Sequence, residues 1–139
     1  MAGKEDVLAR KALQITLGTT AFVAGADKFL NLLTDWQQYL SPAAARRLPL
    51  SGKNFMRLVG LVEMGVGASI LRGPTRVGAY VASAWLAGIT ANLLSSGKYL
   101  DVAARDANMA VAAFVLARLC ERERVPARRQ GREEFLRAA

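Results

Sequence analysis

The chain has 139 residues, 53% of them hydrophobic and 22% charged, with a net charge of +8, no histidine and a single cysteine. A mean hydropathy of +0.19 beside that many charges requires apolar and charged residues to be segregated along one domain's length of chain. The missing histidine excludes bis-histidine haem ligation, histidine-dependent zinc sites and imidazole acid–base chemistry, and a lone Cys120 excludes an intramolecular dithiol relay.

Residues 1–11 are a polar segment with Lys4, Arg10 and Lys11, followed by the first apolar run, Ala12 to Leu33. Arg10 and Lys11 ahead of the small residues Val23-Ala24-Gly25-Ala26 also fit the plan of a signal peptide, but the expectation is that this run is retained as a span. Thr34 to Asn54 holds Trp36, Tyr39, Pro42 and Pro49, which suits an excursion along a membrane interface. The second run, Phe55 to Leu71, has Arg57 and Glu63 as its only formal charges. After the turn Arg72 to Val77 come Gly78 to Leu94 and Tyr99 to Leu119. The tail, 120–139, alternates Arg with Glu, which suits a solvated helix.

Each run is long enough for a membrane helix, the second and third near the short limit. The fold expected is therefore all-α: a polytopic membrane protein with a four-transmembrane-helix bundle over residues 12–119. A cytoplasmic N-terminal segment, 1–11, and a basic cytoplasmic tail, 120–139, flank it. A soluble bundle is disfavoured because so small a domain cannot wrap four apolar helices in protein. Both termini and Arg72 to Val77 fall on one side with most of the Lys and Arg, so the positive-inside rule places both termini in the cytoplasm. The positive charge then belongs beside anionic headgroups, and no nucleic-acid partner is expected.

Ionisable residues inside three of the runs set the functional question. At about 1.5 Å per residue, Lys28 lies roughly 7 Å from the outer end of its span, Glu63 roughly 12 Å, and Arg105 and Asp106 roughly 9–10 Å. These charges share one outer-leaflet layer, which Asn92 and Asn108 could extend. Gly18, Ala21, Gly25 and Lys28 follow helical spacing, as do Gly60, Glu63 and Gly67, so two small-residue faces should bring Lys28 near Glu63. Asp101, Arg105 and Asn108 share a face of the last helix, with Asp106 about 100° away. The layer counts three acids, Asp27, Glu63 and Asp106, against two bases, Lys28 and Arg105. The acid left over favours its protonated form at low dielectric, and Glu63 is the candidate because it lies deepest.

Leu17-Gly18, then Ala24-Gly25-Ala26-Asp27-Lys28-Phe29, then Gly60-Leu61-Val62-Glu63, and Arg105-Asp106 early in the last run form an ordered set. In order, spacing and four-span frame this set resembles the DoxX family of small four-helix membrane proteins, over about Ala12 to Leu119. The resemblance implies a redox-linked setting, since members are associated with membrane oxidoreductase assemblies, including thiosulfate:quinone oxidoreductase subunits. It carries over Lys28, Glu63, Arg105 and Asp106 as the family's polar positions. Asp27, Asn92 and Asn108 join the candidates from position alone, and the extension after Cys120 has no counterpart.

The function expected is a small integral membrane subunit of a quinone-linked or respiratory-type redox complex, whose buried charges contact a quinone or relay protons. The alternative is a non-catalytic accessory or assembly subunit of a larger membrane complex. Either way the chain is at most a non-autonomous part of an enzyme, with no intrinsic cofactor or metal. Its partners would be the lipid bilayer and other membrane subunits, and its location a bacterial inner membrane. A transporter is disfavoured because no inverted repeat or broken helix is visible. The two main readings part on whether the space between Lys28, Glu63 and Arg105 opens as a pocket or is closed by side chains.

Overall fold

The computed structural model describes the backbone of residues 3–138 and the side chains of residues 3–122. All regular structure in them is helical: α1 (Lys4–Leu30), a 3₁₀ turn (Trp36–Tyr39), α2 (Pro42–Arg47), α3 (Gly52–Arg72), α4 (Thr75–Ser96) and α5 (Leu100–Ala138). The four long helices extend past the apolar runs at almost every end, because helical hydrogen bonding continues where hydropathy falls. α5 starts one residue inside its run, at Leu100, and α1 ends inside its own. α1 stops three residues before Leu33, at Leu30, where Asn31 turns left-handed (φ 51°) and its N–H bonds the Asp27 carbonyl. Ser41 and Ser51 cap α2 and α3, accepting from the Ala44 and Asn54 amides, so the 34–54 segment carries more helix than its prolines suggest. α5 continues as helix through the tail, and the basic side chains of the tail beyond Arg122 lie outside the described residues.

α3 and α4 are each long and apolar enough to cross a membrane. α1 and α5 carry Asp27–Lys28 and Arg105–Asp106 within their apolar stretches. α1 packs chiefly on α3 and α4 chiefly on α5, and contacts of α3 with α4 and of α1 with α5 close the bundle.

Glycine sets the α1–α3 spacing. A β-carbon on Gly25 would stand 2.6 Å from the Gly60 carbonyl oxygen, and one on Gly60 would stand 2.5 Å from the Gly25 carbonyl. One heptad along, a β-carbon on Gly67 would meet the Gly18 carbonyl at 2.7 Å. Only glycine lets the two backbones touch at these levels. The α4–α5 contact uses alanine instead, with Ala79, Ala82, Ala103, Ala110, Ala113 and Ala117 all buried. Leu17, Ile70, Leu116 and Cys120 complete an apolar core in the half nearer the α3–α4 turn. In the same half, Gln14 on α1 donates to the Ile70 carbonyl (2.9 Å) and to Thr75 Oγ1 (3.2 Å), satisfying groups that the end of α3 leaves open.

Candidate functional site

The opposite half of the bundle, next to the loop after α1, buries four ionisable side chains: Asp27, Lys28, Glu63 and Asp106. The glycine contact between α1 and α3 leads directly to it. With backbones touching at Gly25 and Gly60, residues one turn further on meet across the interface, and Lys28 Nζ donates to Glu63 Oε2 at 2.5 Å. The two side chains are only 4% and 11% exposed, so the pair is closed to solvent. Lys28 uses its remaining donor capacity on the Ala24 carbonyl at 3.5 Å and on the face of Trp36, whose ring centroid lies 3.6 Å from Nζ.

Asp27 turns the other way and organises the loop. Its Oδ1 accepts from the amides of Leu32 (2.9 Å) and Leu33 (3.2 Å), and its Oδ2 from Leu33 (3.2 Å) and the Trp36 indole N–H (2.8 Å). Trp36 therefore binds both neighbours at once, Asp27 through its N–H and Lys28 through its π-face. Tyr39 and Tyr99 continue the aromatic cluster, their rings 4.9 Å apart and nearly perpendicular.

On α5, Arg105 and Asp106 pair with each other, Nε and Nη2 both 3.0 Å from Oδ1. Asp106 is buried and close enough to act electrostatically on Glu63, whereas the Arg105 side chain is 60% exposed. Arg105 thus lies at the rim and Asp106 inside. Each base holds one acid, and Asp27 is the acid without a cation partner. Neutral N–H donors from the loop and Trp36 take the cation's place.

The two asparagines stand apart from the charges. Asn92 on α4 donates to the Tyr39 carbonyl (2.9 Å) and accepts from the Ser41 amide (3.3 Å), tying the loop to the bundle. Asn108 lies on the exposed face of α5, outside the layer it was expected to extend. Both tryptophans, by contrast, belong to the site and neither was among the candidates. Trp85 on α4 directs its indole N–H toward the Glu63 carboxylate, yet its buried Nε1 makes no hydrogen bond of good geometry. Its depth gives it away: nine residues from Leu94 is about 13 Å, the level of Glu63.

The Lys28–Glu63 contact and the Trp36 ring close the space around this pair. Among the described residues, a shallow groove of about 300 Å³ lies between α4 and α5, lined by Ala87, Thr90, Ala91, Leu94, Ala107 and Ala110. What the charge layer does chemically is to cross-link α1 to α3 and α1 to its own following loop through fully partnered ionic groups, with Asp106 presented from α5. Comparison of the chain with models of protein families, with curated proteins and with solved structures finds no match.

Proposed function

We propose that this chain is a four-span integral membrane protein that serves as a non-catalytic accessory or assembly subunit of a larger membrane complex. The observation that carries this reading is the closed Lys28–Glu63 pair, sealed inside helices whose outer faces are apolar. Large hydrophobic side chains stand exposed on every long helix, among them Ile15 (62%) on α1, Leu61 (58%) on α3, Val81 (44%) on α4 and Val111 (63%) on α5. Lipid is the solvent that suits such a surface, and α1 and α5 can cross it because their charges turn inward or toward the rim. The distribution of basic residues supports cytoplasmic termini with the 31–51 loop outside. An ion pair of this kind specifies which helix faces meet.

The second reading, a redox subunit that contacts quinone or relays protons, draws on the likeness to DoxX proteins. Its support is that Glu63 and Asp106 are two buried carboxylates on one level with an indole N–H left unbonded beside them. The closed geometry favours the first.

Native gel electrophoresis of membranes expressing a tagged chain tests the choice. An accessory subunit migrates in a larger assembly, and Glu63→Gln lowers the amount of that assembly while leaving its turnover per complex unchanged. Normal assembly with reduced quinone-linked turnover would transfer the conclusion to the redox reading. A cysteine placed at Ser51 should react with an impermeant thiol reagent from outside the cell, and labelling only after lysis would reverse the topology.

A further inference from the structure

α5 has an outward line of residues at steps of three and four: Asp101, Ala104, Asn108, Val111 and Val115, all exposed. Such steps put the residues on one stripe of the helix, the arrangement that packs against a parallel neighbour. Asn108 sits in the middle of this stripe. Its amide makes no side-chain hydrogen bond among the described residues and, in the four-span reading on which this inference rests, it faces hydrocarbon that offers no partner.

We propose that α5 pairs side by side with α5 of a second copy of this chain along this stripe, with the two Asn108 amides bonded to each other across a two-fold axis. An amide is self-complementary, since each copy supplies one donor and one acceptor to the other. A single asparagine on a seam otherwise built of Ala and Val is the pattern that fixes register in two-stranded parallel pairs, and copies inserted the same way up in a membrane are necessarily parallel. Both ends of the line carry like charges that would face their own copies, Asp101 at the outer end and Arg118 and Arg122 at the other, and these limit the seam. The seam therefore runs from Ala104 to Val115, roughly 16 Å of helix. The α4–α5 groove flanks it through Ala107 and leaves room for the partner's side chains.

Oxidative cross-linking in intact membranes tests the pairing. In a Cys120→Ser background, Val111→Cys should form a disulfide-linked species of twice the monomer mass, while Leu61→Cys, equally exposed on α3, should stay monomeric. Adding Asn108→Leu to Val111→Cys should lower the cross-linked fraction several-fold, and Asn108→Gln, which keeps an amide, should retain most of it. A monomeric Val111→Cys protein, or equal cross-linking from Leu61→Cys, would overturn the proposal. Alkaline carbonate extraction separates this from the membrane reading. Protein that stays with the membrane but does not cross-link defeats the pairing alone, whereas cross-linked protein that extracts as soluble supports the pairing and defeats the span assignment.

Discussion

The half of the bundle beside the α3–α4 turn and the half beside the 31–51 loop are held by different forces. In the first, Leu17, Ile70, Leu116 and a run of alanines fill a small apolar core. In the second, the buried side chains that matter are Asp27, Lys28, Glu63 and Asp106, with Trp36 and Trp85 packed around them. For helices that face lipid, as proposed for this chain, apolar contacts carry little preference for one rotation over another, because lipid offers the same contacts. Directional bonds do carry that preference. The apolar half supplies close packing and the polar half decides which faces meet, so substitutions in the two should fail differently.

The largest effect should come from the glycine contact that serves both halves. Gly60→Leu drives a side chain into the Gly25 carbonyl, so its cost exceeds the roughly 1–3 kcal/mol of ordinary overpacking, and folded yield should collapse. Gly65→Leu is the control, because nothing lies within 4 Å of a β-carbon there. Detergent-resistant monodisperse yield measures both, and similar yields would mean that α1 and α3 do not touch at this level.

Breaking the buried pair comes next. Lys28→Met leaves the Glu63 carboxylate buried without its cation, a loss of about 3–5 kcal/mol, and thermal unfolding should show it. Lys28→Met with Glu63→Leu should recover most of that loss. If the double variant is no better than the single one, the pair contributes more than a lock between faces.

Arg105→Ala should cost less, on the order of 1–3 kcal/mol, because the guanidinium is mostly exposed and the loss is felt through Asp106. Arg105→Lys should restore part of it. A loss equal to that of Lys28→Met would place Arg105 inside the layer rather than at its rim. The smallest change is Trp36→Phe, which keeps an aromatic face over Lys28 but removes the N–H that Asp27 accepts, about 1 kcal/mol.

Much of the polar half was legible before any coordinates, for a geometric reason. Gly18, Gly25 and Lys28 on one helix and Gly60, Glu63 and Gly67 on another are spaced so that faces and depths can be counted, and the Lys28–Glu63 pair follows from the count. The direction of Arg105 was not legible. Adjacent residues point about 100° apart, and the spacing alone does not say which of Arg105 and Asp106 turns inward. A charge tally does not show which acid lacks a cation, because the partners of Asp27 are the amides of Leu32 and Leu33. Trp85 was overlooked for a related reason: it shares the depth of Glu63 but carries no charge. The two short helices of the 34–54 segment depend on the Asp35 and Ser41 caps, signals weaker than the aromatics and prolines that suggested an interfacial excursion.

The grip of Asp27 on the chain after α1 separates two properties that usually go together. The side chains of Leu32 and Leu33 are among the most exposed in the protein, 79% and 70%, while their amides are held by a buried carboxylate. Judged by side-chain exposure, this stretch belongs with the mobile surface. Judged by hydrogen–deuterium exchange, Leu32 and Leu33 should be protected well above the neighbouring loop amides, and Asp27→Asn should speed their exchange. Because Trp36 joins Asp27 to Lys28, and Lys28 to α3, loosening of the α1–α3 pair should also release those two amides. A pair of surface leucines thus reports on the integrity of the bundle interior, and local opening of the loop is coupled to separation of the helices rather than independent of it.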